Sequence, residues 1–319
     1  MASNAEESVP EFIRGDIVLH AIIDIGSNTI RMAIYEIEGE HIDMLMKKKH
    51  MVGLASYLKD GVMQQEGIDK AVGVLQEFRS FLGSFRITDI TAFTTAALRN
   101  ARNSREAVEE IERRVGFSIQ VISGDEEAEF DFIGATHNIA EDSGILADIG
   151  GASTEIVFFE ARKIVKKVSL PMGSLMLHSK YSSDILPTSE ECRKMREEAE
   201  QIFGEAVDFC GVSHENICGI GGTFKGAMAL GNALFSMEIS NTCMKAEKLR
   251  EMIRRFQRDH EPGPRDIAVL MKTVPDRMHT LLPGLVIADV LARNFSSDMI
   301  IYSDSGVREG YIYDRIIGK

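Results

Sequence analysis

One short motif occurs twice in this chain, and the repeat constrains the fold more than any other feature. An apolar segment runs into D-I-G at residues 24–26, and a second apolar segment runs into D-I-G at residues 148–150, which is 124 positions later. Each copy continues into another apolar segment that ends near a glutamate, at Glu36 and Glu160. Two unrelated strand-to-glycine turns could share these letters, but the order of the surrounding elements matches as well. A repeat with a period of about one domain therefore predicts an internal duplication in a chain of 319 residues.

The segments between the repeats alternate between two hydrophobic periodicities. Apolar residues recur at helical spacing from Gly67 to Gly83, and again after Ser104, which we expect to be an N-cap. A third helix is expected from about Glu126 to Asn138, and residues 188–210 are expected to form one charged helix. Short apolar strands lie between these helices, and this alternation predicts an α/β fold with largely parallel pairing.

The same patterns suggest where the domains begin and end. We expect residues 1–17 to be a polar tail, residues 18–133 to form domain I, and residues 134–305 to form domain II. The final helix, residues 306–319, is expected to pack back on domain I. No low-complexity linker separates the two domains, so the sequence predicts a broad interface with a hinge.

Composition narrows the classes of function. The chain has 36 basic and 49 acidic residues, a net charge of −13, which argues against coating DNA or RNA but allows a small pocket for a phosphorylated ligand. The tail lacks the apolar stretch of a signal peptide, and nowhere do about 18 apolar residues run together, so we expect a cytoplasmic protein with no membrane partner. The cysteines show no metal-site spacing and are expected to be free, buried thiols: Cys192, Cys210, Cys218 and Cys243.

Three turns of similar composition each follow a predicted strand. They are D-I-G-S-N-T at 24–29, D-I-G-G-A-S-T at 148–154 and G-I-G-G-T at 219–223. Glycine-rich turns after strands expose backbone N–H groups that bind phosphate oxygens, and nearby hydroxyl groups add donors. The hydroxyl groups available here belong to Ser27, Ser153 and Thr223. One such turn is weak support, since ordinary turns use the same residues, but three together predict a phosphate site.

Two of the three turns carry an aspartate directly before the glycine. Asp24 and Asp148 would lie where strands end, and carboxylates placed in this way suit Mg²⁺ held through water. The alternative for each is a carboxylate that only caps its own turn.

Taken together in order and spacing, these segments resemble the Ppx/GppA phosphatases, which are exopolyphosphatases and guanosine pentaphosphate phosphohydrolases. The resemblance extends over essentially the whole chain after the tail. It rests on DIGSNTIR (24–31), TTAALRNARN (94–103), ISGDEEAEFDFIGA (122–135), DIGGASTE (148–155), GIGGT (219–223), VPDR (274–277) with LPG (282–284), and SGVREG (305–310).

The resemblance implies two duplicated domains of the ribonuclease-H-like type found in actin, sugar kinases and chaperone ATPases, with the active site in the cleft between them. It also implies hydrolysis of a terminal phosphoanhydride with Mg²⁺. The catalytic carboxylate of the family falls on Glu127, and a second acidic position near metal and water falls on Glu155. The phosphate-binding positions fall on Ser27, Asn28, Arg99, Gly150, Gly151, Ser153, Gly221, Gly222 and Thr223.

Elementary chemistry is compatible with these roles. An arginine such as Arg99 offers phosphate two parallel hydrogen bonds, and a glutamate fixed at a helix start can orient a water molecule. For Glu126 and Glu127 there is also a structural interpretation, because acidic residues favour the first turn of any helix. Ala152 replaces a glycine that the family usually has, which is tolerated if the backbone there has negative φ.

Several alternatives stay open at this stage. The main one is a regulatory protein that binds (p)ppGpp or polyphosphate without hydrolysing it, and a second is a kinase of the same superfamily, which the ISGDEEA segment argues against. Polyphosphate and guanosine pentaphosphate, a nucleotide of the stringent response, are equally compatible as substrates, and a homodimer is one compatible assembly. Arg31 and Lys225 could contact ligand or solvent, and Arg277 and Arg308 could bind ligand or hold the last helix. Because the chain ends soon after SGVREG, whereas longer exopolyphosphatases continue with helical domains, we expect a preference for short chains.

Overall fold

The computed structural model describes residues 17–318, so all of the expected tail except Ile17 lies outside the described residues. In the first half the strands are β1 (Val18–Ile25), β2 (Thr29–Glu38), β3 (His41–Met51), β4 (Leu58–Lys59), β5 (Val62–Met63), β6 (Asp89–Thr94) and β7 (Gln120–Val121). The helices are α1 (Gln65–Ser84), α2 (Ala96–Arg99), α3 (Ser104–Val115) and α4 (Gly124–Thr136), with a 3₁₀ turn at Leu54–Tyr57.

The second half repeats this alternation with more helices. Its strands are β8 (Gly144–Ile149), β9 (Thr154–Glu160), β10 (Lys163–Leu170), β11 (Asn216–Ile220), β12 (Cys243–Lys245) and β13 (Met299–Tyr302). Its helices are α5 (Ser174–Tyr181), α6 (Ser189–Gly204), α7 (Gly221–Leu234), α8 (Glu247–Phe256), α9 (Pro264–Thr273), α10 (Leu281–Asn294) and α11 (Val307–Tyr311). Short 3₁₀ turns lie at Val207–Phe209, Arg258–His260 and Pro275–Arg277, and a π-helical turn follows α11 at Ile312–Ile317.

The two main sheets share one topology, which confirms the predicted duplication. The first sheet has the order β3-β2-β1-β6-β7, and the second has the order β10-β9-β8-β11-β13 with β12 added at its edge. In each sheet the first three strands pair antiparallel and the next two pair parallel, whereas β12 pairs antiparallel with β13. The fold is therefore α/β, built from two ribonuclease-H-like units.

Strand register shows which residues of the two units are equivalent. Asp24 lies opposite Arg31 in the β1–β2 pair, and Asp148 lies opposite Glu155 in the β8–β9 pair. The two aspartates thus occupy equivalent strand ends, while an arginine in the first unit takes the place of a glutamate in the second. The duplicated backbone has been kept, but the charge at this position has been reversed.

Two helices join the halves. Helix α4 packs on β9 and β10 of the second sheet and on α11. Tyr311, the last residue of α11, stacks on Phe93 of the first sheet at 5.5 Å and meets the edge of Phe130 of α4 at 5.2 Å. Ile312 is fully buried in the same cluster. The end of the chain from Tyr311 therefore packs on the first sheet.

Three local expectations need correction. Ser104 is the first residue of α3 rather than its N-cap, which is Asn103. The charged helix α6 is capped by Thr188 as expected, but it ends at Gly204, a poor helix former, and residues 207–209 form a separate 3₁₀ turn. The four cysteines are free, but only Cys192 and Cys218 are buried, while Cys210 is exposed and Cys243 is half-buried.

Across residues 17–318, none of the helices combines the length and the apolar character that a membrane crossing needs.

Candidate active site

The turns after β1 and β8 face each other across one cavity. A Cβ atom added to Gly151 would lie 3.1 Å from Ser27 Cβ and 3.2 Å from Asn28 Cβ, so the two turns are in contact. This close approach explains why the second copy has glycine at this position. Ten of the residues that the sequence singles out line the cavity: Asp24, Ser27, Asn28, Glu127, Asp148, Gly150, Gly151, Ser153, Glu155 and Gly222.

The N-terminus of α4 separates the roles of its two adjacent glutamates. The Ser123 hydroxyl accepts a hydrogen bond from the Glu126 N–H, and the Glu126 carboxylate accepts one from the Ser123 N–H, which completes a capping box. Glu126 is therefore engaged at the helix end. Glu127 is buried and turned into the cavity. The structural interpretation of an acidic first turn thus applies to Glu126 and not to Glu127.

A single arginine connects two carboxylates beside the cavity. Arg99 Nη1 donates to Glu127 Oε2 at 2.6 Å and to the Ile122 carbonyl at 3.2 Å, and its Nη2 lies 3.7 Å from Glu155 Oε1. Glu155 also accepts a hydrogen bond from the Ser169 hydroxyl at 2.7 Å. Arg99 does not line the cavity itself; it lies behind the two glutamates.

The buried carboxylates of the site all have raised pKa values. Burial is the largest cause for Glu127, and the charge of Glu155 adds to it, so the pKa of Glu127 lies well above its usual range despite Arg99. Burial likewise raises the pKa of Glu155, against the hydrogen bonds from Ser169 and Ser153 that lower it. Burial, with the charge of Glu155, raises the pKa of Asp148 to about 7. A cavity that binds cations or needs a strong base benefits from such groups.

The first unit contributes the carboxylate of Asp24, whose negative charge is partly compensated by Arg31. Asp24 is buried, and burial raises its pKa, while Arg31 at 3.6 Å favours the ionised form. Arg31 lines the cavity together with Asp24. Of the two interpretations left open for Arg31, its position therefore favours contact with a ligand.

The third glycine turn contributes backbone and packing rather than hydroxyl groups. Thr223 donates its hydroxyl to the Ile149 carbonyl at 2.8 Å, so that group ties the turn to β8 and does not point to a ligand. Gly221 has φ +74°, and a Cβ atom there would collide with the Asp148 carboxylate. Gly221 thus lets Asp148 approach the start of α7, although it does not line the cavity itself. Ala152 is absent from the positive-φ residues in the described part of the chain, so its backbone tolerates alanine.

Arg277 enters the site although the sequence left its role open. Its guanidinium packs on Gly222, where any Cβ atom would collide with it, and it lines the cavity. Burial lowers its pKa to about 10, and the charge of Arg31 acts in the same direction. Arg308 does not line the cavity; it lies 3.9 Å from its neighbour Glu309, and Glu309 ties α11 to the first sheet by accepting a hydrogen bond from Tyr35.

The carboxylates do not form a cage that could hold a metal ion with protein ligands alone. Among residues 17–318, no three or more His, Cys, Asp and Glu side chains are arranged in this way. Asp24 and Asp148, the two residues expected to hold a metal ion, both line the cavity, one from each unit.

Comparison with known proteins agrees with this geometry. The model of the Ppx/GppA phosphatase family matches residues 33–317. A Haemophilus influenzae protein that carries the provisional name exopolyphosphatase is 27% identical over 303 residues, which is 94% of this chain and 92% of that protein. A Fusobacterium nucleatum protein named bifunctional 3-dehydroquinate synthase/phosphatase is 25% identical over 94% of this chain, which corresponds to 47% of its own length.

Solved structures show the same fold. The Ppx/GppA enzyme of Aquifex aeolicus is 26% identical, with a TM-score of 0.72 over 94% of this chain and 100% of that chain. An exopolyphosphatase from Cytophaga hutchinsonii superposes with a TM-score of 0.78 over 94% of this chain and 98% of that chain, at 21% identity.

Proposed function

This chain belongs to the Ppx/GppA phosphatase family, and from that premise we propose that it hydrolyses the terminal phosphoanhydride of inorganic polyphosphate. The observation that carries the proposal is the position of Glu127, a buried carboxylate with a raised pKa that faces two glycine-rich turns across one cavity. A site that only binds phosphate gains nothing from such a group, because an anionic base beside an anionic ligand weakens binding.

The proposed reaction needs a nucleophile, charge neutralisation and a leaving group. Glu127 takes a proton from water while the water oxygen attacks the terminal phosphorus, and the bridging P–O bond breaks to release phosphate and the shortened chain. The raised pKa of Glu127 makes it a better base near neutral pH. Phosphoryl transfer otherwise depends on positioning and on neutralising the charge of the equatorial oxygens.

The chain offers donors for that charge on several sides of the cavity. Residues 26–29 and 148–151 line it, and the guanidinium of Arg277 borders it. The N–H groups of Gly26 and Gly150 bond to carbonyls within their own turns, so the donors to phosphate would come from the other residues of the two turns. Arg99 fixes Glu127 by its hydrogen bond at 2.6 Å, so it serves first to orient the base. A phosphate oxygen that lies beside Glu127 would come within reach of the other terminal nitrogen of Arg99, Nη2.

The residues present also fit Mg²⁺. Asp24 and Asp148 are oxygen donors at equivalent strand ends, and their burial is unfavourable unless a cation compensates their charge. Two carboxylates without a further cage suit an ion that keeps several of its waters and takes the remaining ligands from phosphate. When bound, Mg²⁺ would neutralise charge on the substrate phosphates. We propose Asp24 and Asp148 as the residues that hold it.

The test is release of phosphate from medium-chain polyphosphate and, in parallel, from guanosine pentaphosphate, each with and without Mg²⁺. The proposal expects release from polyphosphate that depends on Mg²⁺. Release from guanosine pentaphosphate alone would change the substrate and keep the reaction. Tight binding of polyphosphate without release from either compound would overturn the proposal in favour of a regulatory binding protein.

A further inference from the structure

Three lysines, at positions 47, 49 and 225, lie beside residues that line the cavity and define its mouth. Lys47 and Lys49 alternate along β3 with Lys48 between them, so they share one face of the sheet and Lys48 occupies the other. The face of Lys49 is that of Arg31, its direct neighbour across the β2–β3 pair. Lys48 instead pairs with Glu77 of α1 on the opposite face.

The second half of the molecule contributes another lysine to the same place. Lys225 lies in the second turn of α7, one turn after Gly222, whose backbone lines the cavity. Burial lowers the pKa of Lys225, and the ammonium groups of Lys47 and Lys49 lower it further. Geometry also brings the three lysines together, because Lys49 pairs with Asp276 and the neighbouring Arg277 packs against the first turns of α7 at Gly222 and Gly226.

The carboxylates of Asp276 and Asp304 are the acidic groups near these lysines. Lys49 Nζ lies 2.5 Å from Asp276 Oδ2, an ion pair that joins the first sheet to the segment carrying Arg277. The charge of Asp304 raises the pKa of Lys225 but does not offset the causes that lower it. With the arginines at 31 and 277 directly inside, the mouth has more cationic than anionic groups, in a chain whose net charge is −13.

Five cationic groups beside two carboxylates favour an anion between them. A chain of inorganic phosphates carries a negative charge on each residue, and lysine is a compact point charge that suits such a chain without fixing its rotation. We propose that Lys47, Lys49 and Lys225 form an outer subsite that holds the phosphates next to the terminal one as the polyphosphate chain leaves the cavity. This inference rests on the proposed function, because it assigns the substrate class and its direction in that site.

The experiment compares Lys225→Ala and the double variant Lys47→Ala/Lys49→Ala with Lys48→Ala, the matched control on the other face of the same strand. On a polyphosphate of tens of residues, we expect the KM of the first two variants to rise about tenfold while kcat stays within about twofold. Lys48→Ala should match the parent. On guanosine pentaphosphate, whose guanosine replaces the inorganic chain, the three variants should differ little. A KM for Lys225→Ala equal to that of Lys48→Ala would overturn the subsite.

A binding measurement separates this result from the proposed function. Fluorescently labelled polyphosphate is titrated into the same four proteins, with chelator present so that the chain stays intact. Weaker binding by Lys225→Ala and by the double variant, but not by Lys48→Ala, supports the subsite even if the parent releases no phosphate. Equal binding by all four proteins overturns it even if hydrolysis is confirmed.

Discussion

Arg99 holds Glu127 at 2.6 Å and lies 3.7 Å from Glu155, so one guanidinium shares its charge between two buried carboxylates that line the cavity. The same guanidinium also donates to the Ile122 carbonyl, which fixes it on the short segment between β7 and α4. The base of the proposed reaction is thus oriented by an ion pair and is not free to turn.

Replacing Glu127 by Gln keeps the size of the side chain and removes its basicity. We expect kcat to fall by roughly 10²- to 10⁴-fold, the usual scale for loss of a general base, with little loss of affinity for polyphosphate. The measurement is steady-state phosphate release together with a binding titration.

Glu126→Gln is the matched control, one residue earlier in the same helix. Glutamine can still accept the Ser123 N–H in a capping box, so turnover should stay at the parental rate. If both variants lose activity equally, the assignment of the base to Glu127 is wrong.

The interaction between Glu127 and Glu155 predicts an unusual pH dependence of the activity. The pKa of Glu127 is raised by burial and by the negative charge of Glu155, so kcat/KM should decline on the acidic side at a pH well above that of an ordinary glutamate. Glu155→Gln removes one of the two causes, so the pKa of Glu127 falls and the acidic decline should move to lower pH. Since polyphosphate itself titrates, the informative quantity is the shift between variant and parent on one substrate. No shift would show that another group controls the decline.

Much of this arrangement was accessible from the sequence because it is local. The two D-I-G turns predict strand ends, and the repeat predicts that those ends are equivalent, which strand register confirms for Asp24 and Asp148. The helix expected from about Glu126 to Asn138 is α4, which begins two residues earlier because Ser123, a strong N-cap residue, precedes it.

What the sequence could not reveal depends on tertiary packing. Helix α10 has 12 consecutive buried residues from Leu281 to Ala292, so it shows no polar face and no amphipathic period from which to predict it. Arg277 follows a proline in a 3₁₀ turn, and only its packing on Gly222 brings it to the cavity. Thr223 appeared to be a ligand donor, but its hydroxyl bonds to Ile149 because the neighbouring strand lies within reach.

Gly221→Ala tests the contact between α7 and the proposed metal ligand. Its φ of +74° is unfavourable for alanine, and the new Cβ atom would displace the Asp148 carboxylate. We expect a loss of stability of about 1–2 kcal/mol and a larger loss of activity. Gly73→Ala is the control: this glycine is exposed in α1 with open space around it, so the variant should gain about 0.5–1 kcal/mol and keep parental activity. Thermal unfolding and phosphate release measure both effects.

If Asp24 and Asp148 hold Mg²⁺, replacing either one should raise the Mg²⁺ concentration that activity requires, and replacing an exposed carboxylate should not. Asp24→Asn and Asp148→Asn should each raise the Mg²⁺ concentration that gives half-maximal activity by about tenfold or more, because each removes a charged ligand. Asp125→Asn, at an exposed position where the carboxylate pairs with Lys167, should leave that concentration unchanged. Activity that survives a strong chelator would contradict the assignment.

Asp131 predicts a pH-dependent stability that is independent of catalysis. It lies one turn after Glu127 in α4, is 0% exposed, and burial together with the charges of Asp148, Glu127 and Glu155 raises its pKa well above the usual range, although the Val307 N–H acts in the opposite direction. A carboxyl group whose pKa is higher in the folded than in the unfolded state stabilises the fold at low pH, and this contribution disappears as the pH rises from the unfolded-state pKa through the folded-state pKa.

Asp131→Asn keeps the shape of the side chain and does not ionise, so its stability should exceed that of the parent increasingly as the pH rises. We expect the two proteins to be similar near pH 4, the pKa of an unfolded aspartate, and the variant to be more stable by about 1–3 kcal/mol at pH 8. Urea unfolding at both pH values gives the difference, with Asp125→Asn as an exposed control that should show no such trend. A difference between Asp131→Asn and the parent that is the same at both pH values would show that Asp131 ionises normally in the folded protein, and that the carboxylates of the site do not raise its pKa.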